Sequence, residues 1–178
     1  QLWGGEGLTG FWKCVLCALV LALLAHPLGQ ALPSRFRPEK FPFRPWRWEK
    51  NGRVYTKLAI DKWKRLVPDM SRLLPDMVKK QLPASTTAVT AAQAEALVQE
   101  TCRAELVHGA SCLLGLSFLW LWRGWGGVIV LLVWVLLANL PFILIQRYNR
   151  PRLVRLAALL HKREQRKGEA RARTDTDL

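Results

Sequence analysis

Residues 104–145 read AELVHGASCLLGLSFLWLWRGWGGVIVLLVWVLLANLPFILI. Apart from the Cys112 thiol, their ionisable groups are Glu105, His108 and Arg123. This stretch decides the fold. An α-helix rises about 1.5 Å per residue, and a hydrocarbon core is about 30 Å thick. Ala104–Trp122 and Val128–Ile145 therefore each suit one crossing. Arg123-Gly-Trp-Gly-Gly127 between them is a tight connection, so the two form an antiparallel hairpin. Residues Gly10–Ala31, densest over Phe11–Ala25, supply a third apolar run.

The rest of the chain has the opposite character. Residues 33–83 hold 14 basic and five acidic residues, net +9, and residues 146–178 hold ten and four, net +6. Over all 178 residues the net charge is +14, with 51% apolar residues and nine Trp. This segregation argues against a soluble enzyme, a coiled coil or a disordered tail. The expected fold is all-α: a small polytopic membrane protein of about three transmembrane helices plus cytoplasmic interfacial helices. The expected parts are an N-terminal transmembrane helix (1–32), a basic Pro/Trp-rich cytoplasmic segment (33–83), the hairpin (84–145), a basic amphipathic helix (146–167) and a flexible tail (168–178).

The positive-inside rule orients this multi-pass chain in the cell membrane with its N-terminus outside and its C-terminus cytoplasmic. Trp120, Trp122 and Trp125 then fall at the outer interface, and Trp46, Trp48 and Trp63 at the inner one. A cleaved secretory signal is the alternative for the first run, but no basic n-region precedes it. Cys14, Cys17, Cys102 and Cys112 read as small apolar residues of membrane helices rather than as zinc ligands or disulfides.

Pro33–Trp48 interleaves basic, aromatic and proline residues, and its prolines exclude a regular helix. Anchoring to anionic lipid is preferred over nucleic-acid binding. Tyr55–Val67 reads as a helix with Leu58, Asp61, Lys62 and Arg65 on one face, ended by Pro68-Asp69. Leu74-Pro75 and Leu82-Pro83 interrupt the next stretch. Thr86 or Thr87 is then placed to cap a long helix entering the second span. Pro151 suits the first turn of a new helix whose stripe is Leu153, Leu156, Ala157 and Leu160.

The chemistry-bearing residues cluster toward the inner ends of spans two and three. Glu105 and His108 stand at i and i+3 and share a helical face. A carboxylate beside an imidazole can raise its basicity, as a general base requires. The same residues, with Arg103, equally form a structural network, and spacing does not choose between the two. Glu-x-x-His offers only two metal ligands, so no metal is assigned. Asn139, Gln146 and Arg150 recur at i, i+7 and i+11 as a polar stripe, with Pro141 freeing the carbonyl near Leu137. Arg147, Arg150 and Arg152 suit phosphate recognition, although a stop-transfer cluster on lipid headgroups accounts for them more simply. Glu49, Asp61, Lys62 and Asp69 read individually as solvated charges.

Thr101-Cys-Arg-Ala-Glu-Leu-Val-His108 and Ala138-Asn-Leu-Pro-Phe-Ile-Leu-Ile-Gln-Arg-Tyr-Asn-Arg-Pro-Arg-Leu153 closely resemble the glycosyl-4,4′-diaponeurosporenoate acyltransferases of carotenoid synthesis. Trp48-Glu-Lys-Asn-Gly-Arg53, Tyr55, Lys57 and Lys62-Trp-Lys64 extend the resemblance, which covers about residues 35–160. Gly109 stands where the family carries an aromatic residue.

The resemblance implies a membrane enzyme that esterifies a sugar hydroxyl of a carotenoid glycoside, or a similar glycolipid, with a fatty acyl group. The expected catalytic residues are His108, as base, and Glu105, orienting it. Asn139, Gln146, Arg147, Tyr148, Asn149, Arg150, Arg152 and Arg103 are expected to bind substrate. No bound cofactor is expected; acyl-CoA or acyl carrier protein is the co-substrate. Partners are the bilayer, the acceptor and the acyl donor, without nucleic acid, and three spans leave room for a homo-oligomer. A small membrane metallo-hydrolase and a non-catalytic scaffold binding anionic lipid or a partner are the rival classes.

Overall fold

The computed structural model describes residues 5–33, 35–64 and 89–176, with no strand among them. The helices are α1 (Gly5–Ala31), α2 (Arg53–Lys57), α3 (Ile60–Trp63), α4 (Ala91–Leu114), α5 (Phe118–Leu121), α6 (Trp125–Val133) and α7 (Leu140–Thr176). A 3₁₀ turn (Arg47–Gly52) precedes α2, another (Gly115–Ser117) joins α4 to α5, and a π turn (Trp134–Asn139) joins α6 to α7. Three helical runs are long and apolar enough to cross a membrane: Gly7–Ala31, Ala91–Leu121 and Trp125–Ala170. The protein is an all-α polytopic membrane protein. It divides into two compact units, residues 1–36 with 102–146 and residues 37–101 with 147–178.

In the first unit, α1 runs antiparallel to the second span. Gly10 meets Trp122, the Cys14 thiol points to the Phe118 carbonyl at 3.9 Å, and Cys17 Sγ lies 3.5 Å from Ser117 Oγ. Toward its end, a Cβ on Gly29 would lie 3.5 Å from Val107. The hairpin turns at Gly124, whose φ of +90° few other residues tolerate. Trp122 folds back between Gly10 and Gly126; a Cβ on either would come within 2.6 and 2.1 Å of its ring. Trp122 is thus a packing residue, unlike the expected interfacial Trp120 and Trp125, which are exposed. The four cysteines are thiols.

In the second unit, α4 begins with a capping box. Thr90 Oγ1 accepts from the Gln93 amide (3.2 Å), and Gln93 Oε1 accepts from the Thr90 amide (3.0 Å). Glu164 of α7 accepts from the Ala91 N–H at 3.0 Å, answering another donor of that helix terminus. Val89, Ala91 and Ala94 then pack on Ala157 and Leu160, with Leu156 beside them. Small side chains on α4 permit this close contact. Thr90 therefore caps α4; the expected caps Thr86 and Thr87 lie outside the described residues, as do Arg65–Val67, Pro68-Asp69, Leu74-Pro75 and Leu82-Pro83.

Three further expectations need correction. The helix expected over 55–67 breaks at Ala59, which is left-handed (φ +50°). Trp63 Nε1 donates to the Leu58 carbonyl at 3.0 Å across the break, and Ile60 is turned fully inward. Leu58 and Asp61 therefore do not share one regular face. Pro151 does not open a new helix but lies inside α7. The helix also continues through 168–175 to Thr176, so the tail expected from 168 is helical there. A Cβ on Gly168 would enter open space, and Lys, Arg, Glu and Ala dominate the last turns.

Candidate functional site

In the first unit, His108 of α4 faces the π turn. Its Nδ1 lies 3.0 Å from Asn139 Oδ1. Asn139 Nδ2 donates to the Trp134 carbonyl at 2.9 Å, which fixes the amide with its oxygen toward the imidazole. An oxygen can only accept there, so Nδ1 is the donor, and in the neutral ring Nε2 then carries the lone pair. Phe142 stacks on the ring at 4.7 Å and 9°, holding its plane.

Pro141 explains the local geometry. It has no N–H for the Leu137 carbonyl, and its ring crowds the preceding turn. The backbone widens to a π turn, with the Leu140 N–H donating to Val135. Such turns recur at functional sites. Trp134 ties this turn to α4 by donating Nε1 to the Ser111 carbonyl at 3.0 Å. Asn139 is 3% exposed, and Glu105 and Gln146 are buried in the same unit. Arg103 lies beside Gly29 of α1.

The second unit gathers the remaining expected residues around buried ions. Arg147 pairs with Glu49 and donates Nη2 to the Pro42 carbonyl at 2.7 Å. Arg150 donates Nε to Thr101 Oγ1 (3.0 Å), Nη2 to the Thr101 carbonyl (2.9 Å) and Nη1 to the Phe43 carbonyl (2.9 Å). The buried Tyr148 donates its hydroxyl to Asp61, which also takes Lys64 Nζ at 2.7 Å. The Tyr148 ring faces Arg152 at 3.4 Å and Lys64 at 5.0 Å. Arg152 is exposed and Asn149 half-buried.

Glu49, read as solvated, is 1% exposed. Arg147, 98 positions away, accounts for its burial. Asp61 likewise is engaged rather than merely solvated, whereas Lys62 is exposed. Tyr55 is buried beside Glu49 and Arg147, and among the described residues its hydroxyl meets no hydrogen-bond partner of good geometry. Burial first, then the Glu49 carboxylate, push its phenol above the ordinary range, with Arg147 opposing. Phe142, Trp134, Thr101 and Tyr55 were not expected as site residues. Phe142, Thr101 and Tyr55 do lie within the motif blocks, which was the available signal; Trp134 does not. Among the described residues no group of three or more His, Cys, Asp or Glu is placed to share a metal ion.

Membrane-length helices that hold a half-buried imidazole against a fixed amide define a polytopic membrane protein with a polar pair inside its apolar spans. Residues 38–159 match the family model of glycosyl-4,4′-diaponeurosporenoate acyltransferase, and the chain belongs to that family. It is 30% identical over 163 residues to the glycosyl-4,4′-diaponeurosporenoate acyltransferase of Staphylococcus aureus strain N315, covering 89% of this chain and 93% of that protein. The proteins of strains MRSA252 and USA300 match at the same identity and coverage. No solved structure matches.

Proposed function

We propose that this acyltransferase moves a fatty acyl group from a thioester to a sugar hydroxyl of a carotenoid glycoside or similar glycolipid. The observation that supports this reading most is the Asn139–His108 hydrogen bond, which sets the tautomer a general base needs. In the reaction, His108 Nε2 takes the hydroxyl proton as the sugar oxygen attacks the acyl carbonyl carbon. The tetrahedral adduct collapses with cleavage of the C–S bond, and the departing sulfur takes the proton back from Nε2. Asn139 holds the imidazole throughout, and it accepts from Nδ1–H more strongly when the ring is positive. Glu105, buried one helical turn before His108, adds negative charge that favours the same imidazolium. Gln146 and Arg103 bind the sugar, and Tyr148 and Asn149 flank the donor. Arg152, exposed beside Tyr148, adds positive charge on the donor side, while Arg147 and Arg150 hold the carbonyls of Pro42, Phe43 and Thr101.

An apolar acceptor with a sugar head would dissolve in the bilayer and present its hydroxyls near the interface. By the positive-inside rule both basic segments face the cytoplasm, where acyl-CoA and acyl carrier protein are found. General-base catalysis contributes about 10²–10⁴-fold. His108→Ala should therefore lose at least about 100-fold in acyl transfer while keeping its thermal transition. Lipid extraction and mass spectrometry of cells expressing each form measure the acylated product; near-normal acylation by a folded His108→Ala protein removes His108 from the reaction.

A further inference from the structure

The loop at 38–48 is held by more buried charge than its surface position explains. Two arginines of α7 reach carbonyls of consecutive residues, Pro42 and Phe43. Their guanidinium groups also lie over the rings of Trp46 (5.0 Å) and Phe43 (5.2 Å). Glu49 closes the arrangement from the other side of Arg147. Removing such charges from water is costly and losing one partner strands the other, so these ties hold the loop in one geometry. What it fixes is an open cleft of about 820 Å³. Lys40, Arg44 and Arg47 line it with Phe41 and Trp46, and all five are exposed. Glu39 also lines the cleft, leaving three cations against one carboxylate.

We infer that this cleft binds the nucleotide end of the acyl donor, so that the donor is an acyl-coenzyme A. The inference rests on the acyl-transfer reading above. Adenine stacks on the half-exposed Trp46 ring, which Arg147 and Trp48 already hold in place, and the phosphates take Lys40, Arg44 and Arg47. Arginine forks match phosphate geometry, and aromatic rings accept a purine face. The volume lies within the roughly 300–1,000 Å³ of ligand sites. Lipid anchoring uses the same residue types but needs neither a concave shape nor pinned backbone, because a headgroup layer is fluid. A nucleotide has a rigid base and phosphates at set spacing, and it gains from a loop that is ordered before binding.

The test uses the full chain in nanodiscs of zwitterionic lipid. Calorimetric titration with coenzyme A and with 3′,5′-ADP should show saturable binding, weakened at least about tenfold in Arg44→Glu/Arg47→Glu. The preference for acyl-CoA over a phosphate-free acyl-pantetheine thioester should fall by a similar factor. Both side chains are exposed, and an unchanged thermal transition confirms that the variant folds. If the wild type transfers acyl groups yet binds neither nucleotide, the assignment is wrong and acyl transfer stands. If the variant keeps its donor preference and instead loses binding to phosphatidylglycerol vesicles, the cleft is a lipid anchor. Absence of transfer from both thioesters overturns acyl transfer and this assignment with it.

Discussion

The unit formed by residues 1–36 and 102–146 is organised around an imidazole and an amide, His108 and Asn139. The unit formed by residues 37–101 and 147–178 is organised around ions, Glu49 with Arg147, and Arg150 on the carbonyls of Thr101 and Phe43. The difference tracks solvent. Within membrane-length helices an unpaired polar group has no water to fall back on, so polar side chains there are few and each needs a partner. The basic segments carry charge in excess and can bury a share of it as cross-chain ties. Polar burial therefore has two meanings in one small chain. In the first unit it orients an imidazole; in the second it fixes backbone.

That contrast predicts different kinds of damage. Glu49→Gln leaves Arg147 buried without its counter-charge, a loss of about 3–5 kcal/mol for pairs of this type. For a chain this size the thermal midpoint should drop by roughly 10 °C. An unchanged midpoint would mean that the ion pair is not structural, and the contrast would disappear. Asn139→Ala removes the acceptor that holds His108 Nδ1–H and frees the ring to adopt the other tautomer, so acyl transfer should fall about 10²–10⁴-fold with the thermal midpoint retained. Transfer within a few fold of the wild type would detach Asn139 from the proposed chemistry. The smallest effect belongs to Tyr55. Its phenol is raised in the folded chain, so above the unfolded value of about 10 the unfolded state sheds a proton that the folded state keeps. Stability should therefore decline as pH rises past about 10. Tyr55→Phe should flatten that decline in thermal scans at pH 8 and pH 10.5, and equal slopes would show that Tyr55 does not drive it.

Much of the fold was legible because hydropathy is local. The three apolar runs, the hairpin and the polar residues Glu105, His108 and Asn139 within them could be read from composition and spacing. Their pairing could not. Helical periodicity groups Glu105 with His108, and Asn139 with Gln146 and Arg150, but it cannot bring His108 to Asn139 from another helix, 31 positions away. Glu49 sat in a strongly basic stretch and read as a surface charge; only Arg147, distant in sequence, explains its burial. Pro151 and Gly168 are local signals for ends, yet α7 runs through both. Neighbouring helix formers outweigh one glycine, and contacts along 147–160 hold the helix through its proline.

The widened turn at Trp134–Asn139 holds one residue more than ordinary α-helix would need over the same arc. Removing one residue there would let the segment close into α-helix while the chain on either side keeps nearly its present bearing. The loss would be local, because Asn139 would no longer be offered to His108 from a bulge. A one-residue deletion in this turn should therefore leave the span intact and cost the amide–imidazole contact.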